Sequence, residues 1–475
     1  MATSALPGSL GQAAASAGSL DEAALTALFD KAMQVSGVTG AQMAVIRGGE
    51  FFEIAGGYAN AERGIPMSTN TVMQIGSVTK VLNAMLVASL QEEGRLDFDE
   101  PVKEYIPYFA LADTQAADSV TLRHLLSMSS GMDNGPYTNH GEDDGATERY
   151  VKSLQAVPHH FKPGRFYGYS NAGSVVAAHA AESVAAESWA RLLRQRVLGP
   201  IGVSGVLFDS DISDGDISYG HQRGDAEKTV VVAPVMSPAR ARFASGAALA
   251  MTMGDLARVG EVFIRGGTAF NGKRVLAAES VAAMMRPQTD KPSRRYGRKW
   301  CLGPAFDQWQ GVDVWGHPGG TETALTFLQW FPEKQGVLTF CLNTHAAAAA
   351  FAAVMFAEVL QHVFGFTQTP IDQPDAHVPS IEPERFVGTY GSLDFQATVT
   401  HTVDGLKADF SDHYQGNTTH SEMLLEPMGG DRFLLRSVGK PSGAVPSDTA
   451  FFGRDGAGRA QHMLRNVFPI TRRKA

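Results

Sequence analysis

Two cysteines in 475 residues, Cys301 and Cys341, are too few for a disulfide framework, and no Cys/His spacing matches a zinc site. Both read as small hydrophobes in buried strands. Positive charge is short as well. Lys+Arg number 40 against 49 Asp+Glu, giving a net charge of −9 and a pI of about 5.9. That is the wrong sign for a phosphate-binding surface and speaks against nucleic acid as a partner. The one basic run, Arg472, Arg473 and Lys474, reads as a solvated terminus. Long hydrophobic runs are missing too. The longest uncharged apolar stretch, Ala346 to Ala357, is too short to span a bilayer. The opening residues, MATSALPGSLGQAAASAGS, have no basic region followed by an apolar core and predict no secretory signal. These absences predict a cytoplasmic protein, or a periplasmic or secreted one if a leader has been removed.

What is present is an ordinary globular balance, 44% apolar and 19% charged, on a chain long enough for two or three domains. Residues 1–18 read as a flexible N-terminus. From Ser19 to Gly37, Leu25, Leu28, Phe29, Ala32 and Met33 recur at helical spacing; Ser19 and Glu22 predict a capping box, and Gly37 the stop. The runs AQMAVIR and FFEIAGGY, joined by Gly48-Gly49, predict a β-hairpin. Thr71 to Ala283 is mainly helical with Gly and Pro breaks. VDVWGHPGG, TALTFLQWFP and GVLTFCLNT then read as successive strands, with PEKQG a turn and a helix from about Ala347 to Phe364. This order predicts an α+β domain over 19–366, an antiparallel sheet flanked by helices plus a helical subdomain. Residues 367–383, with Pro370, Pro374, Pro379 and Pro383, read as a linker. Residues 384–475 read as a small β-barrel-like domain, from the alternation in FQATVTHTV and turns at Gly429-Gly430 and Asp455-Gly456. The break predicts that the first domain folds without the second.

The chemistry starts at Gly76-Ser77-Val78-Thr79-Lys80, followed by the helical run VLNAMLVASLQEEG. Residues three apart on a helix share a face, so the Ser77 hydroxyl and the Lys80 amine can meet. A serine hydroxyl needs a base to become a nucleophile, and a lysine serves once burial or nearby cations lower its pKa. The helix start adds unpaired N–H groups for a developing oxyanion. The same Ser-x-x-Lys spacing at Ser437–Lys440 precedes Pro441-Ser442-Gly443 and reads as a loop. Tyr-x-Asn occurs at Tyr58, Tyr137 and Tyr169. The third copy, Tyr169-Ser170-Asn171, immediately precedes a helix. A tyrosine beside a cationic lysine can hold a lowered pKa and relay a proton, while an asparagine amide can hold a substrate carbonyl. Third is His317-Pro318-Gly319-Gly320 after the strand VDVW. Its glycines admit a substrate backbone to the strand edge, and the Gly320 N–H can complete an oxyanion hole with that of Ser77.

With SVTK, YSN and HPGG in this order, the chain resembles the serine β-lactamase and penicillin-binding protein superfamily, especially its class C-like branch of D-aminopeptidases, family VIII esterases and acyltransfer cyclases. TLRHLLSMSSGM and ASGAALAMTMGDLARVG also look familiar. The resemblance covers about residues 20 to 365, and the domain opening RFVGTY is similar to the lipocalin-like appendage of many such hydrolases. It implies a β-lactamase/transpeptidase-like domain carrying a lipocalin-like one. It also implies a serine hydrolase with Ser77, Lys80 and Tyr169 catalytic, and Asn171, His317, Gly319 and Gly320 binding substrate. Most β-lactamases carry a lysine where this chain has His317, and a mostly neutral histidine argues against antibiotic hydrolysis as the main task.

Four readings therefore stand: an ester, amide or peptide hydrolase acting on D-residues among others; an acyltransferase or cyclase with the same acyl-enzyme; a sensor or scaffold that acylates without turnover; and a true β-lactamase. A nucleophile-elbow reading of Gly168-Tyr-Ser170-Asn-Ala172 lacks a preceding strand. A calcium loop at Asp209-Ser-Asp211 fails at Ser213 and Gly220, and His159-His160 lacks a metal-site pattern. No metal or cofactor is expected. The partner is a small-molecule or peptide substrate, with a homo-oligomer left open.

Overall fold

The computed structural model describes residues 19–206, 216–223, 229–232, 239–294, 296–370, 381–414, 417–438 and 447–473. The first helix, Glu22–Ser36, ends at Gly37 in the left-handed conformation (φ 59°), as expected. Its cap is Asp21, whose carboxylate accepts the Ala24 N–H at 3.0 Å. Ser19 stands two residues further out and does not cap, because the carboxylate next to the first helical residue already satisfies that donor.

The predicted hairpin pairs Gly40–Arg47 with Glu50–Asn60, in register from Gly40 opposite Gly57 to Arg47 opposite Glu50. Among the described residues it belongs to a nine-stranded antiparallel sheet. The order is Ile65–Pro66, Glu50–Asn60, Gly40–Arg47, Gly336–Leu342, Leu325–Phe331, Val312–Gly320, Ala305–Trp309, Lys299–Trp300 and Thr289–Asp290. The centre joins the two ends of the first domain, Gly40–Arg47 against Gly336–Leu342. Both strands are buried on both faces, which explains why they read as near-continuous apolar runs. Met43 and Val45 face the layer of Phe29 and Phe351, whereas Ala44 and Ile46 face that of Leu82 and Val259.

The last helix of this domain runs from Ala348 to Phe364, with a π-type segment at Met355–Val359. Counted from His345 it is 20 residues long, and long and apolar enough to cross a bilayer by length and composition. The apolar run counted in the sequence ends at Glu358, and a single charge does not end the helix. Phe351, Val354, Met355, Val359 and Leu360 pack into the core on one side of the sheet. On the other side lies the helical subdomain, centred on Thr79–Glu92. That helix is buried almost all round, which is the mark of a core helix.

The C-terminal strands form a closed antiparallel barrel of eight, from Gly388–Gly391 to Phe468–Arg472, where Tyr390 pairs with Arg472 and Gly391 with Thr471. Arg472 is not a solvated tail residue. Its guanidinium donates to the carbonyls of Ala460, Val387 and Arg385 and to the Tyr390 hydroxyl, holding the barrel closed. The predicted turns at Gly429-Gly430 and Asp455-Gly456 both connect barrel strands. The barrel shares an aromatic cluster with the first domain: Phe161, Tyr167, Tyr169 and Trp300 pack with Phe452, Leu464 and Val467. Removing it exposes those rings, so the two domains are less separable than the proline-rich sequence between them suggests. Cys341 lies in a strand, Cys301 just beyond one, and both are buried. Burial pushes the Cys341 thiol up to about 12, the state of an inert side chain.

Candidate active site

Ser77 lies in a 3-10 turn, Gly76–Val78, that runs straight into the helix Thr79–Glu92. The three-residue spacing does what it predicts: Lys80 Nζ is 3.1 Å from Ser77 Oγ and donates to the Ser245 carbonyl. Lys80 is only 1% exposed. Burial, and then the Arg242 guanidinium, hold its amine well below the ordinary lysine value. Arg242 is itself buried, donates to the Pro136 carbonyl at 3.2 Å, and lies 3.5 Å from the centre of the Tyr137 ring. Both Arg242 and Ser245 come from the 3-10 segment Arg240–Ser245.

Three glycines clamp the Ser77 turn. A Cβ on Gly319 would stand 1.9 Å from the Ile75 carbonyl oxygen and 3.2 Å from the Ser77 nitrogen. One on Gly246, whose φ is +112°, would lie 2.5 Å from the Gly76 carbonyl. One on Gly76 would lie 2.8 Å from the Gly320 nitrogen. Only bare backbone fits here, so the Gly319–Gly320 segment of the strand Val312–Gly320 lies directly against Ser77.

His317, on the same strand, is 1% exposed. Its Nδ1 is 2.5 Å from the Pro318 carbonyl, which only accepts, so Nδ1 carries the proton. Nε2 is then an acceptor without a protein partner among the described residues. Burial, reinforced by Lys80, pushes the imidazole down to about 3, so it is neutral across the physiological range, as expected. Its ring lies edge-on to Trp300 at 5.2 Å and near Tyr169 at 6.2 Å.

Tyr169 is 6% exposed, and its hydroxyl hydrogen-bonds Ser77. Lys80 Nζ stands 4.9 Å from the ring centre. The sequence-based expectation of a lowered phenol pKa is wrong. Burial pushes the hydroxyl above the ordinary tyrosine range, and the hydrogen bond with Ser77 offsets this only in part. Tyr169 is therefore a neutral hydroxyl that can pass a proton without starting as a phenolate. Asn171, the first residue of the helix Asn171–Ala185, gives one amide N–H to Asn134 Oδ1 at 2.8 Å. Its own carbonyl oxygen has no hydrogen-bond partner among the described residues.

The rival serines have structural roles. Ser170 caps the same helix, accepting the Gly173 N–H at 3.1 Å while donating to the Asp133 carbonyl at 2.7 Å. Ser437 ends a barrel strand, not a helix; Lys440 and the Asp209–Ser213 segment lie outside the described residues. His159 contacts the Ser130 carbonyl, and His160 bridges Asp133 and Thr471. No cluster of metal-ligating side chains occurs among the described residues. Residues not singled out from the sequence also border the site: Arg242 and Ser245 beside Lys80, Trp300 beside Tyr169 and His317, and Asn134 beside Asn171. Tyr137 belongs here too, since the Asn134 amide donates to its hydroxyl at 2.9 Å. The available signals were ASG at 244–246, which delivers Ser245 and Gly246, and the second Tyr-x-Asn copy, which delivers Tyr137.

Residues 25–358 match the Beta-lactamase family, and the chain belongs to it. The class is thus a β-lactamase/transpeptidase-like fold of serine hydrolases with a C-terminal barrel. Among curated proteins it is similar to penicillin-binding protein 4 of Amycolatopsis lactamdurans, 28% identical over 366 residues, 76% of this chain and 95% of the relative. It is also similar to esterase EstB of Burkholderia gladioli, 33% identical over 205 residues, 39% of this chain and 52% of the relative. Among solved structures, that of SurE superposes with a TM-score of 0.80 at 23% identity, covering 95% of this chain and 99% of SurE, so the fold is shared across both domains.

Proposed function

We propose that this chain is a serine hydrolase that forms an acyl-enzyme at Ser77 from an ester, amide or peptide substrate, D-residue peptides included. The observation that carries the reading is the buried Lys80 amine, held well below the ordinary lysine value, 3.1 Å from Ser77 Oγ. Lys80 Nζ takes the hydroxyl proton as Oγ bonds to the substrate carbonyl carbon. The N–H groups of Ser77 and Gly320 receive the oxyanion, an arrangement supported by the close approach of the two segments. As the bond to the leaving group breaks, the Tyr169 hydroxyl hands it a proton and is resupplied from Lys80. Asn171 holds the acyl side of the substrate. Water then enters and releases the acid. A second reading, transfer to an amine, draws on the barrel residues Val467 and Phe468, which cover the Tyr169 side and shelter the ester from solvent.

The neutral His317 directs substrate choice. A cephalosporin carboxylate arriving here meets an uncharged ring, and losing a charge-assisted contact costs about 1.5–3 kcal/mol, roughly ten- to a hundredfold in binding. The protein is therefore expected to hydrolyse a nitrophenyl ester or a peptide amide with a higher kcat/KM than a chromogenic cephalosporin. His317→Lys is expected to shift that ratio toward the cephalosporin. A wild type that prefers the cephalosporin contradicts this reading and makes the protein a true β-lactamase.

A further inference from the structure

We propose that Asp394, on the barrel, is a positioning residue for substrate binding that acts through Asn134 on Asn171. The inference rests on the reading above that Asn171 meets the substrate. Asp394 lies in the turn between the barrel strands Gly388–Gly391 and Phe395–Thr402. The turn is seated on the first domain by the Leu393 N–H, which donates to Asp133 Oδ2 at 3.1 Å. The next residue of that segment, Asn134, is buried and uses both ends of its amide. Its Oδ1 accepts from the Asn171 backbone N–H at 3.2 Å and from Asn171 Nδ2 at 2.8 Å. Its Nδ2 donates to the Tyr137 hydroxyl at 2.9 Å and to Asp394 Oδ2 at 3.2 Å.

The chemistry of the two ends fixes the direction of this chain. A backbone N–H can only donate, and an ionised carboxylate can only accept. The Tyr137 hydroxyl does either and discriminates nothing. Asp394 and the Asn171 backbone therefore hold the Asn134 amide one way round from opposite sides. With Oδ1 of Asn134 so directed, Asn171 must turn its Nδ2 toward it. That leaves the Asn171 carbonyl and one N–H without protein partners among the described residues, one acceptor and one donor. A peptide group carries both a C=O and an N–H and pairs with both. An ester has only acceptors and uses the N–H alone. The barrel thus sets the polarity of a subsite that favours amide over ester, which a merely structural contact does not do.

The test uses the full-length protein, a peptidyl nitroanilide, a nitrophenyl ester, and a fluorophosphonate that phosphonylates Ser77, with loss of fluoride, without needing Asn171. Asp394→Ala is expected to raise KM for the nitroanilide by roughly tenfold and for the ester by less than about threefold, the scale of one charge-assisted hydrogen bond. The fluorophosphonate rate stays at the wild-type value. Asp394→Asn, whose side-chain oxygen still accepts, restores the nitroanilide KM. In an Asn171→Ala background, Asp394→Ala has no further effect. Asn134→Leu breaks the same chain in the middle and must reproduce the KM shift, which covers the case in which Asp394→Ala does not fold. Fully additive effects of Asp394→Ala and Asn171→Ala, or equal changes for ester and amide, overturn the proposal. A wild type in which the fluorophosphonate labels a residue other than Ser77 overturns the underlying reading instead.

Discussion

Alanine in place of Lys80 is expected to lower kcat by roughly 10² to 10⁴, the usual scale for a positioned acid–base group, and to slow fluorophosphonate labelling to match. The neighbours of Ser77 offer no substitute. The imidazole of His317, pushed down to about 3, is too weak a base to hold the serine proton near neutrality. The Tyr169 hydroxyl keeps its own proton because burial raises it. Lys80 is the strong base among them that burial drives toward its uncharged form, since desolvation disfavours a cation. The sign of the pH dependence follows. The neutral amine is the active form, so labelling is complete above the depressed Lys80 pKa and falls as protons are added below it. The acid limb belongs below the ordinary lysine range and is absent from Lys80→Ala. Stopped-time labelling across pH measures both effects. A loss below tenfold removes Lys80 from the chemistry.

Gly319→Ala is expected to cost about 10² in kcat, because displacing reacting groups by about 1 Å has that effect. The added methyl lands 1.9 Å from the Ile75 carbonyl oxygen, and backbone on both sides leaves no flexible side chain to give way. Either the Gly76–Val78 turn or the strand Val312–Gly320 must move, and each carries part of the proposed oxyanion site. Gly246→Ala presses on the same turn from the other side and adds backbone strain at φ +112°. Both variants are to be assayed alongside their melting temperatures, which separate a local displacement from loss of the fold. A Gly319→Ala protein with wild-type kcat contradicts the clamp.

The elements read best from sequence are those whose pattern is local. The strand Val312–Gly320, the left-handed stop at Gly37, and the meeting of Ser77 with Lys80 all follow from spacing and residue type. What the chain alone does not carry is environment. Arg242 depresses the Lys80 amine from 162 residues away, and its effect depends on burial that no window of sequence shows. The Tyr169 expectation fails for that reason: the rule about a neighbouring cation is sound, but desolvation of the buried phenol outweighs it. The barrel is legible as a barrel, from alternation and turns. That Phe468 lies edge-on to Tyr169 and Asp394 reaches Asn134 is a docking geometry, set by apolar faces that a linear reading keeps in separate domains. Arg472 shows the opposite error, a terminal charge taken for solvated that in fact binds three carbonyls.

The central claim is that Ser77 is the acylated nucleophile. Its most direct test is intact-mass analysis of the protein after reaction with a fluorophosphonate, followed by peptide mapping of the adduct. The account predicts a single adduct on the peptide bearing Ser77, abolished in Ser77→Ala and strongly slowed in Lys80→Ala. A label on Ser170 or Ser437, or an undiminished adduct in Ser77→Ala, contradicts it.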